Sequence, residues 1–559
     1  MARLATLERH IRPTVIGSLE SAVQAANHGV GPTLVGVLSS YLARQGEIEK
    51  YLCSLLGVFS GAHLLIYAYV VHALSTVLLI NAAFFTGLFG NIVLYRLFFH
   101  RLRHVPGPVA ARITRLYASY LNLTQTQMHY TVQRMHREYG DVIRIGPREI
   151  SICRSSAIQA IYGPPTRCTK SPWYDQVCLD KSQTTMFGIR DVKEHNKRRR
   201  VWDQGIRAQG QYQDRVAAKV KIFGAKLGEQ QAHPINVTKW MSLFALDAMG
   251  DIVLGTDPGL MDAGQIPHFV QQIRDQTKGL AVGGTIPWLP VQMLRIPGVS
   301  EALNPFRHFC HAKLERIQEG TKTDDEPSDL ITWLIQAQRN GDPGAPSSDR
   351  ALKDDAWFLG GRRQCSDTIG TTLTNALFYL ATHPAVLDHL HQQLDEAFPN
   401  GVPDWSFEGV KDMSYPTYIL SETLRLKPPV PGGLSRVTPP EGLQIDEDLH
   451  IPGDVIVSAP TFTIHRDPRL WEKADQFIPE RWAEIETSKA PFFPFSRGAF
   501  DCVGKGIAWM EMRMALSMMA LAFEIRLADA SERAFDGMEQ DSFTMVVPEL
   551  RLRFQPRQR

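Results

Sequence analysis

The chain has 559 residues, 44% hydrophobic and 21% charged, with a formal net charge of +2. That ordinary globular balance removes any electrostatic case for nucleic-acid binding, and the length admits one large catalytic domain. Seven cysteines, Cys53, Cys153, Cys168, Cys178, Cys310, Cys365 and Cys502, are scattered without C-x-x-C spacing, which argues against a disulfide framework or a zinc site and fits a reducing compartment.

Val15 to Leu42 is mildly apolar with Glu20 as its one charge, so a third helix there, interfacial or spanning, is an open alternative. From Tyr51 to Tyr95 no Lys, Arg, Asp or Glu occurs in 45 residues. One bilayer crossing takes roughly 20 apolar residues, so this stretch predicts two transmembrane helices. A buried hairpin of a soluble domain would alternate with polar faces over that length. Arg96, Arg101 and Arg103 follow at once, and the positive-inside rule puts that end in the cytoplasm. Val105-Pro106-Gly107-Pro108 then forms a stiff turn that no helix can continue. Residues 1–104 read as a membrane anchor and 105–559 as the catalytic domain.

Beyond the turn, Tyr139 to Ser151 alternates polar and apolar residues between glycine breakers and predicts a β-hairpin. Most of the remainder has helical period, with helices over 354–382 and 417–426. Residues 441–460 carry short strands and turns, and 543–554 reads as a closing β-hairpin. With neither repeats nor a low-complexity linker, the expected fold is mainly α with small β-sheets.

Several clusters stand out. His195 to Arg200 is a basic run, which is most often a solvated helix face. Asp367 and Thr368 form a polar pair in an apolar helix, where local backbone bonds are the simplest role. Glu422 and Arg425 lie three apart on one helix face and are ordinary surface partners if taken alone. Cys502 sits between Gly498 and Gly504, glycines that permit tight turns and close backbone approach. The helix predicted from Val503 to Leu516 begins just past the sulfur, and a helix N-terminus favours the thiolate.

Phe495, Gly498, Cys502 and Gly504 resemble the haem loop of cytochromes P450, F-x-x-G-x-x-x-C-x-G, in which the cysteine is the axial iron ligand. Ser421 to Pro431 resembles that family's E-x-x-R helix with its proline stop, and Phe477 to Trp482 resembles the segment that supplies a further arginine. The resemblance implies the cytochrome P450 fold from about residue 105 onward and haem b as cofactor. It implies a buried triad of Glu422, Arg425 and Arg481 locking the loop, with structural and not chemical work. Asp367 would relay protons and Thr368 would hydrogen-bond dioxygen. Arg199 and Arg436 align with arginines that hold haem propionates, with His195 standing where the family has tryptophan.

The sequence also departs from the family. Phe500 replaces the usual arginine two residues before the cysteine, as in the tryprostatin-hydroxylase-like fungal group. Gly361-Arg362-Arg363-Gln364-Cys365 stands where small apolar residues are expected. Gln364 and Cys365 would share a helix face with Thr368 and crowd the oxygen side, and Arg362 and Arg363 would bury unpaired charge. Three explanations stand open: a reshaped pocket, impaired activity, or a local reading-frame error that transcript sequencing would expose.

The implied function is a membrane-anchored haem-thiolate monooxygenase of fungal secondary metabolism, hydroxylating or otherwise oxidising a small apolar substrate. No flavin or nicotinamide fingerprint occurs, so NADPH electrons would come through a separate cytochrome P450 reductase, docked by Arg497, Lys505 and Lys197 to Arg200. The expected place is the endoplasmic reticulum membrane, with the lipid bilayer as partner and the catalytic domain in the cytosol. Dehydration, isomerisation or oxidative coupling without net oxygen insertion is one alternative, and a catalytically impaired haem-binding membrane protein is another. Substrate walls are expected from variable segments, among them Leu260 to Leu303.

Overall fold

The computed structural model describes residues 30–42, 57, 59–61, 74–177, 185–207, 209–230, 233–266, 279, 281–293, 305–320, 327–361 and 366–558. The chain divides into two compact units, Met1–Thr114 and Arg115–Arg559. The first contains α1 (Val30–Leu42) and α2 (Leu74–Leu94), the latter continued by a π turn, Tyr95–Phe99. Among the described residues one helix, Val77–Phe99, is long and apolar enough to cross a membrane. Most of 51–73, where the other crossing was expected, lies outside the described residues. The described part of α1 has 13 residues, and the rest of 15–42, where the further helix was expected, lies outside the described residues. The two helices touch closely because each sets a glycine against the other's backbone: a Cβ on Gly36 would lie 2.2 Å from the Phe84 carbonyl oxygen, and one on Gly87 2.2 Å from that of Thr33.

In the second unit, α3 (Met128–Tyr139) leads into β1 (Val142–Gly146) and β2 (Glu149–Ile152), the expected hairpin, which pairs Val142 with Ile152. Then come α4 (Ser155–Tyr162), β3 (Thr169–Lys170), α5 (Val192–Arg207) and α6 (Gln209–Glu229). After β4 (Ile235–Asn236), the Asn236 side chain accepts from the Lys239 N–H and starts α7 (Val237–Leu254), which ends on Gly255 at φ +60°. Asp329 caps α8 (Leu330–Arg339) in the same way. Next are α9 (Asp349–Gly361) and α10 (Ser366–Thr382). Residues 362–365 lie outside the described residues, and with them the expected crowding by Gln364 and Cys365.

The chain continues through α11 (Pro384–Ala397), α12 (Ser414–Leu426), β5 (Arg436–Val437), β6 (Leu443–Asp446), β7 (Leu449–Ile451) and β8 (Ile456–Ser458). It ends with α13 (Lys505–Ala522), β9 (Phe523–Leu527), β10 (Gln540–Ser542), β11 (Thr544–Val546) and β12 (Arg551–Pro556). The main sheet has the order β1-β2-β8-β5-β3, and a second has the order β4-β12-β9. The closing hairpin expected over 543–554 is not one hairpin. Thr544–Val546 pairs back with Gln540–Ser542, while Arg551–Pro556 pairs with Phe523–Leu527. The sequence marks the segment as extended, but partner choice depends on burial elsewhere.

At the centre, α10 packs against α7, α12 and α13. In α13 apolar residues surround the axis, and all but a few positions are buried, as expected of a helix with no polar stripe.

Candidate active site

Glu422 lies at the centre of a buried knot. Arg425, one turn on along α12, donates from Nε to Oε2 at 2.9 Å and from Nη2 to Oε1 at 2.8 Å. Arg481 donates from Nε to Oε1 at 3.0 Å, and the Ile478 N–H and Trp482 Nε1 donate to the same carboxylate. A buried ion pair is tolerable only when its remaining donors and acceptors are also used. Arg425 meets that demand by donating to the carbonyls of His465, Ala474 and Gln476. The chain of contacts runs onward, since His465 Nε2 accepts from the Phe493 N–H at 3.1 Å, at the entry to the cysteine loop. Burial and then Arg425 push the His465 pKa down to about 3, so the ring is the neutral acceptor this bond needs.

The loop itself turns on Ser496 and Gly498, at φ +60° and +70°. Glycine is required at 498 on two counts, because a Cβ there would also come 2.2 Å from the Tyr162 carbonyl oxygen. The Cys502 N–H donates to the Phe495 carbonyl at 2.9 Å and closes the loop three residues before α13 starts. Arg199 holds it from α5, with Nη1 on the Asp501 carbonyl at 2.9 Å, Nη2 on its carboxylate at 2.8 Å, and Nε on Asp203.

One cavity, with about 1660 Å³ of atom-free space partly open to solvent, brings several of the predicted residues together. Its walls include Phe495, Cys502 and Gly504 of the loop, Thr368 of α10, and Arg436 of β5. Cys502 has exposed surface although it lies deep in the domain, because it faces this cavity. Burial pushes its thiol up, opposed by the Gly504 N–H. Asp367, half-buried in the first turn of α10, is not among the lining residues, and neither is Arg199, which is spent on Asp501 and Asp203.

In place of Arg199 the wall carries Lys170 and His195, residues that sequence reasoning missed as partners of Arg436. The β3–β5 register sets Lys170 directly opposite Arg436, both nearly fully buried. Like charges directly opposite across a ladder are unfavourable unless an anion lies nearby. The Phe500 ring lies 4.7 Å from Lys170 Nζ and 5.2 Å from the Arg436 guanidinium carbon, and His195 packs edge-on against it at 4.6 Å. Burial and then Lys170 bring the His195 pKa down to about 3, leaving it neutral.

The family model for cytochrome P450 matches residues 111–554. The chain belongs to the cytochrome P450 family. Cytochrome P450 monooxygenase orf5 of Eupenicillium brefeldianum is 36% identical over 475 residues, covering 84% of this chain and 94% of that protein. Tryprostatin B 6-hydroxylase of Aspergillus fumigatus is 30% identical over 463 residues, covering 81% and 80%. Among solved structures, a crystal structure of a cytochrome P450 (CYP102L1) superposes with a TM-score of 0.64 at 18% identity, covering 77% of this chain and 94% of that one.

This chain is thus a cytochrome P450 monooxygenase of the fungal secondary-metabolism type, and the family's cofactor is a haem held through a cysteine thiolate. The cavity fits such a group. It offers a sulfur ahead of a helix N-terminus, two buried cations at one wall for carboxylates, and buried polar atoms without a protein partner, His195 Nδ1, Trp202 Nε1 and Ser496 Oγ. No local sequence signal marks Lys170, on a two-residue strand, or His465, which lies 43 residues beyond Glu422.

Proposed function

We propose that Cys502 is the axial ligand of the haem and that the enzyme, supplied with NADPH electrons by a separate reductase, oxidises a small apolar molecule. The observation that carries this reading is the cavity shared by Cys502, Thr368 and the Lys170–Arg436 pair. A haem with a thiolate ligand supplies oxygen activation when bound there. Arg436, Lys170 and His195 would take its propionates, and Arg199 would act on the loop through Asp501. Phe495, Gly498 and Gly504 would hold the loop's shape, and Glu422, Arg425 and Arg481 would hold its position. The Thr368 hydroxyl would deliver a proton toward dioxygen, with Asp367 passing protons from outside the cavity.

The substrate reading rests on walls rich in Met186, Met249, Ile252, Val253, Val430 and Leu434. The similarity to fungal secondary-metabolism enzymes supports a substrate of that class. Helix Val77–Phe99, followed by Arg101 and Arg103, supports an anchor in the endoplasmic reticulum membrane with the catalytic unit in the cytosol. Of the cations named for reductase docking, Arg198 turns inward onto Asp355, while Lys197, Arg200 and Lys505 are exposed. These three support an acidic partner.

The test is spectroscopic. The reduced wild-type protein with carbon monoxide should show the thiolate band, and Cys502→Ala should lose it. Purified protein with reductase and NADPH should couple cofactor consumption to an oxygenated product. A thiolate band surviving in Cys502→Ala overturns the ligand assignment.

A further inference from the structure

β5 and β8 run antiparallel, with Arg436 opposite Val457 and Val437 opposite Ile456. The Thr438 N–H donates to the Val455 carbonyl at 2.9 Å, which makes 438 and 455 a hydrogen-bonded pair in this register. Bonded and non-bonded pairs alternate along an antiparallel ladder, so the next bonded positions are 436 with 457 and 434 with 459. At the last of these a side chain interrupts the ladder. The Ala459 N–H donates to the Tyr162 hydroxyl at 3.0 Å, and that hydroxyl donates to the Leu434 carbonyl at 2.8 Å. One phenol oxygen thus stands inside the bond that Ala459 and Leu434 would otherwise make directly, and it holds the two strands apart by the width of an oxygen.

Tyr162 is the last residue of α4 and is nearly fully buried. Burial pushes its phenol up to about 12, against the pull of Arg436, so the hydroxyl keeps the proton that it donates. The surroundings fix the ring in place. It packs 5.9 Å from Phe493 and faces the Arg436 guanidinium at 5.3 Å. Gly433, at φ +77°, runs so close to the other strand that a Cβ there would lie 2.0 Å from the Ala459 carbonyl oxygen. Tyr162, Leu434 and Arg436 all line the cavity that holds Cys502.

We infer that Tyr162 is a positioning residue, a hydroxyl wedge that keeps the ladder open beside β5 and so holds Leu434 at the cavity wall. This rests on the haem-site reading above and adds what fixes that wall. Without the oxygen, the Ala459 N–H and the Leu434 carbonyl close on each other, because a buried donor and acceptor left apart are costly. Leu434 then moves with its carbonyl, and the room beside a bound molecule changes.

The test uses haem-loaded protein in four forms: wild type, Tyr162→Phe, Leu434→Ala and the double variant. Each is titrated with imidazole and with an imidazole bearing a phenyl group, read by the shift of the haem absorption band, and melting midpoints are recorded alongside. Tyr162→Phe keeps the ring and its packing and removes only the oxygen. It should change the ratio of phenyl-imidazole to imidazole affinity by at least about threefold, while plain imidazole binds as before. In the Leu434→Ala background the same substitution should change that ratio by less than about 1.5-fold, because the side chain through which it acts is gone. A ratio that Tyr162→Phe leaves unchanged overturns the inference, even where the melting midpoint falls, since the hydroxyl is then structural alone. A change of equal size in both backgrounds overturns it as well. If plain imidazole shifts no band in the wild type, the haem reading fails first and carries this inference with it.

Discussion

Glu422→Ala is the sharpest perturbation of the proximal scaffold. The carboxylate takes five donors from Arg425, Arg481, Ile478 and Trp482. Removing it leaves a fully buried guanidinium with no counter-charge, and breaking a buried pair in this way costs about 3–5 kcal/mol. The unit from Arg115 to Arg559 unfolds with roughly 2.1 cal/mol/K of entropy per residue, or about 0.9 kcal/mol/K overall. The melting midpoint at fixed scan rate should therefore fall by about 3–5 °C. The loss should also pass along Arg425, His465 and Phe493 to the cysteine loop, so the thiolate–carbon monoxide band should shrink relative to total protein. Glu422→Gln, which keeps the shape and one carbonyl acceptor, should lie between. An alanine variant that melts within about 1 °C of the wild type, with a full thiolate band, would refute the reasoning that this carboxylate holds the loop.

Further outcomes follow from the same geometry. Gly498→Ala should abolish haem loading, read as the ratio of haem to protein absorbance, because both φ +70° and the Tyr162 carbonyl forbid a Cβ. Arg199→Gln should loosen the loop through Asp501, costing about 1.5–3 kcal/mol, and speed haem transfer to an apo-globin acceptor while leaving the thiolate band position unchanged. His465, neutral with a pKa near 3, binds fewer protons folded than unfolded below the ordinary histidine pKa. Stability should therefore fall as pH drops from about 6.5 toward 3, by up to about 1.4 kcal/mol per pH unit, and His465→Gln should flatten that slope in denaturant titrations. Thr368→Ala should keep haem and NADPH consumption but release peroxide in place of product.

What the sequence made legible follows a physical line. Cys502, Glu422, Arg425 and Arg481 sit in segments whose own spacing creates their geometry: a loop with fixed glycines, and a helix that puts i and i+3 on one face. The wall opposite Arg436 was not legible, because Lys170 reaches it through a two-residue strand whose register is set by the rest of the sheet. The closing strands failed for the same reason. Residues 543–554 read as extended, but their partners, Gln540–Ser542 and Phe523–Leu527, are chosen by packing at a distance.

Arg199 and Phe500 show how one substitution moves another residue's work. An arginine at 500 would bring its own cation to the cavity wall, beside the Lys170–Arg436 pair. With phenylalanine there, the ring faces Lys170 and Arg436 together, and cation–π attraction holds two cations where like charge would push them apart. His195, smaller than a tryptophan and edge-on to the same ring, fills the remaining space as a neutral group. Arg199 is then free of the cavity and closes on Asp501, one residue before the sulfur. The departures at 195 and 500 are thus coupled through one aromatic ring, and reverting Phe500 to arginine alone should weaken haem retention: the added cation would crowd Lys170 and Arg436 without restoring Arg199 to the wall.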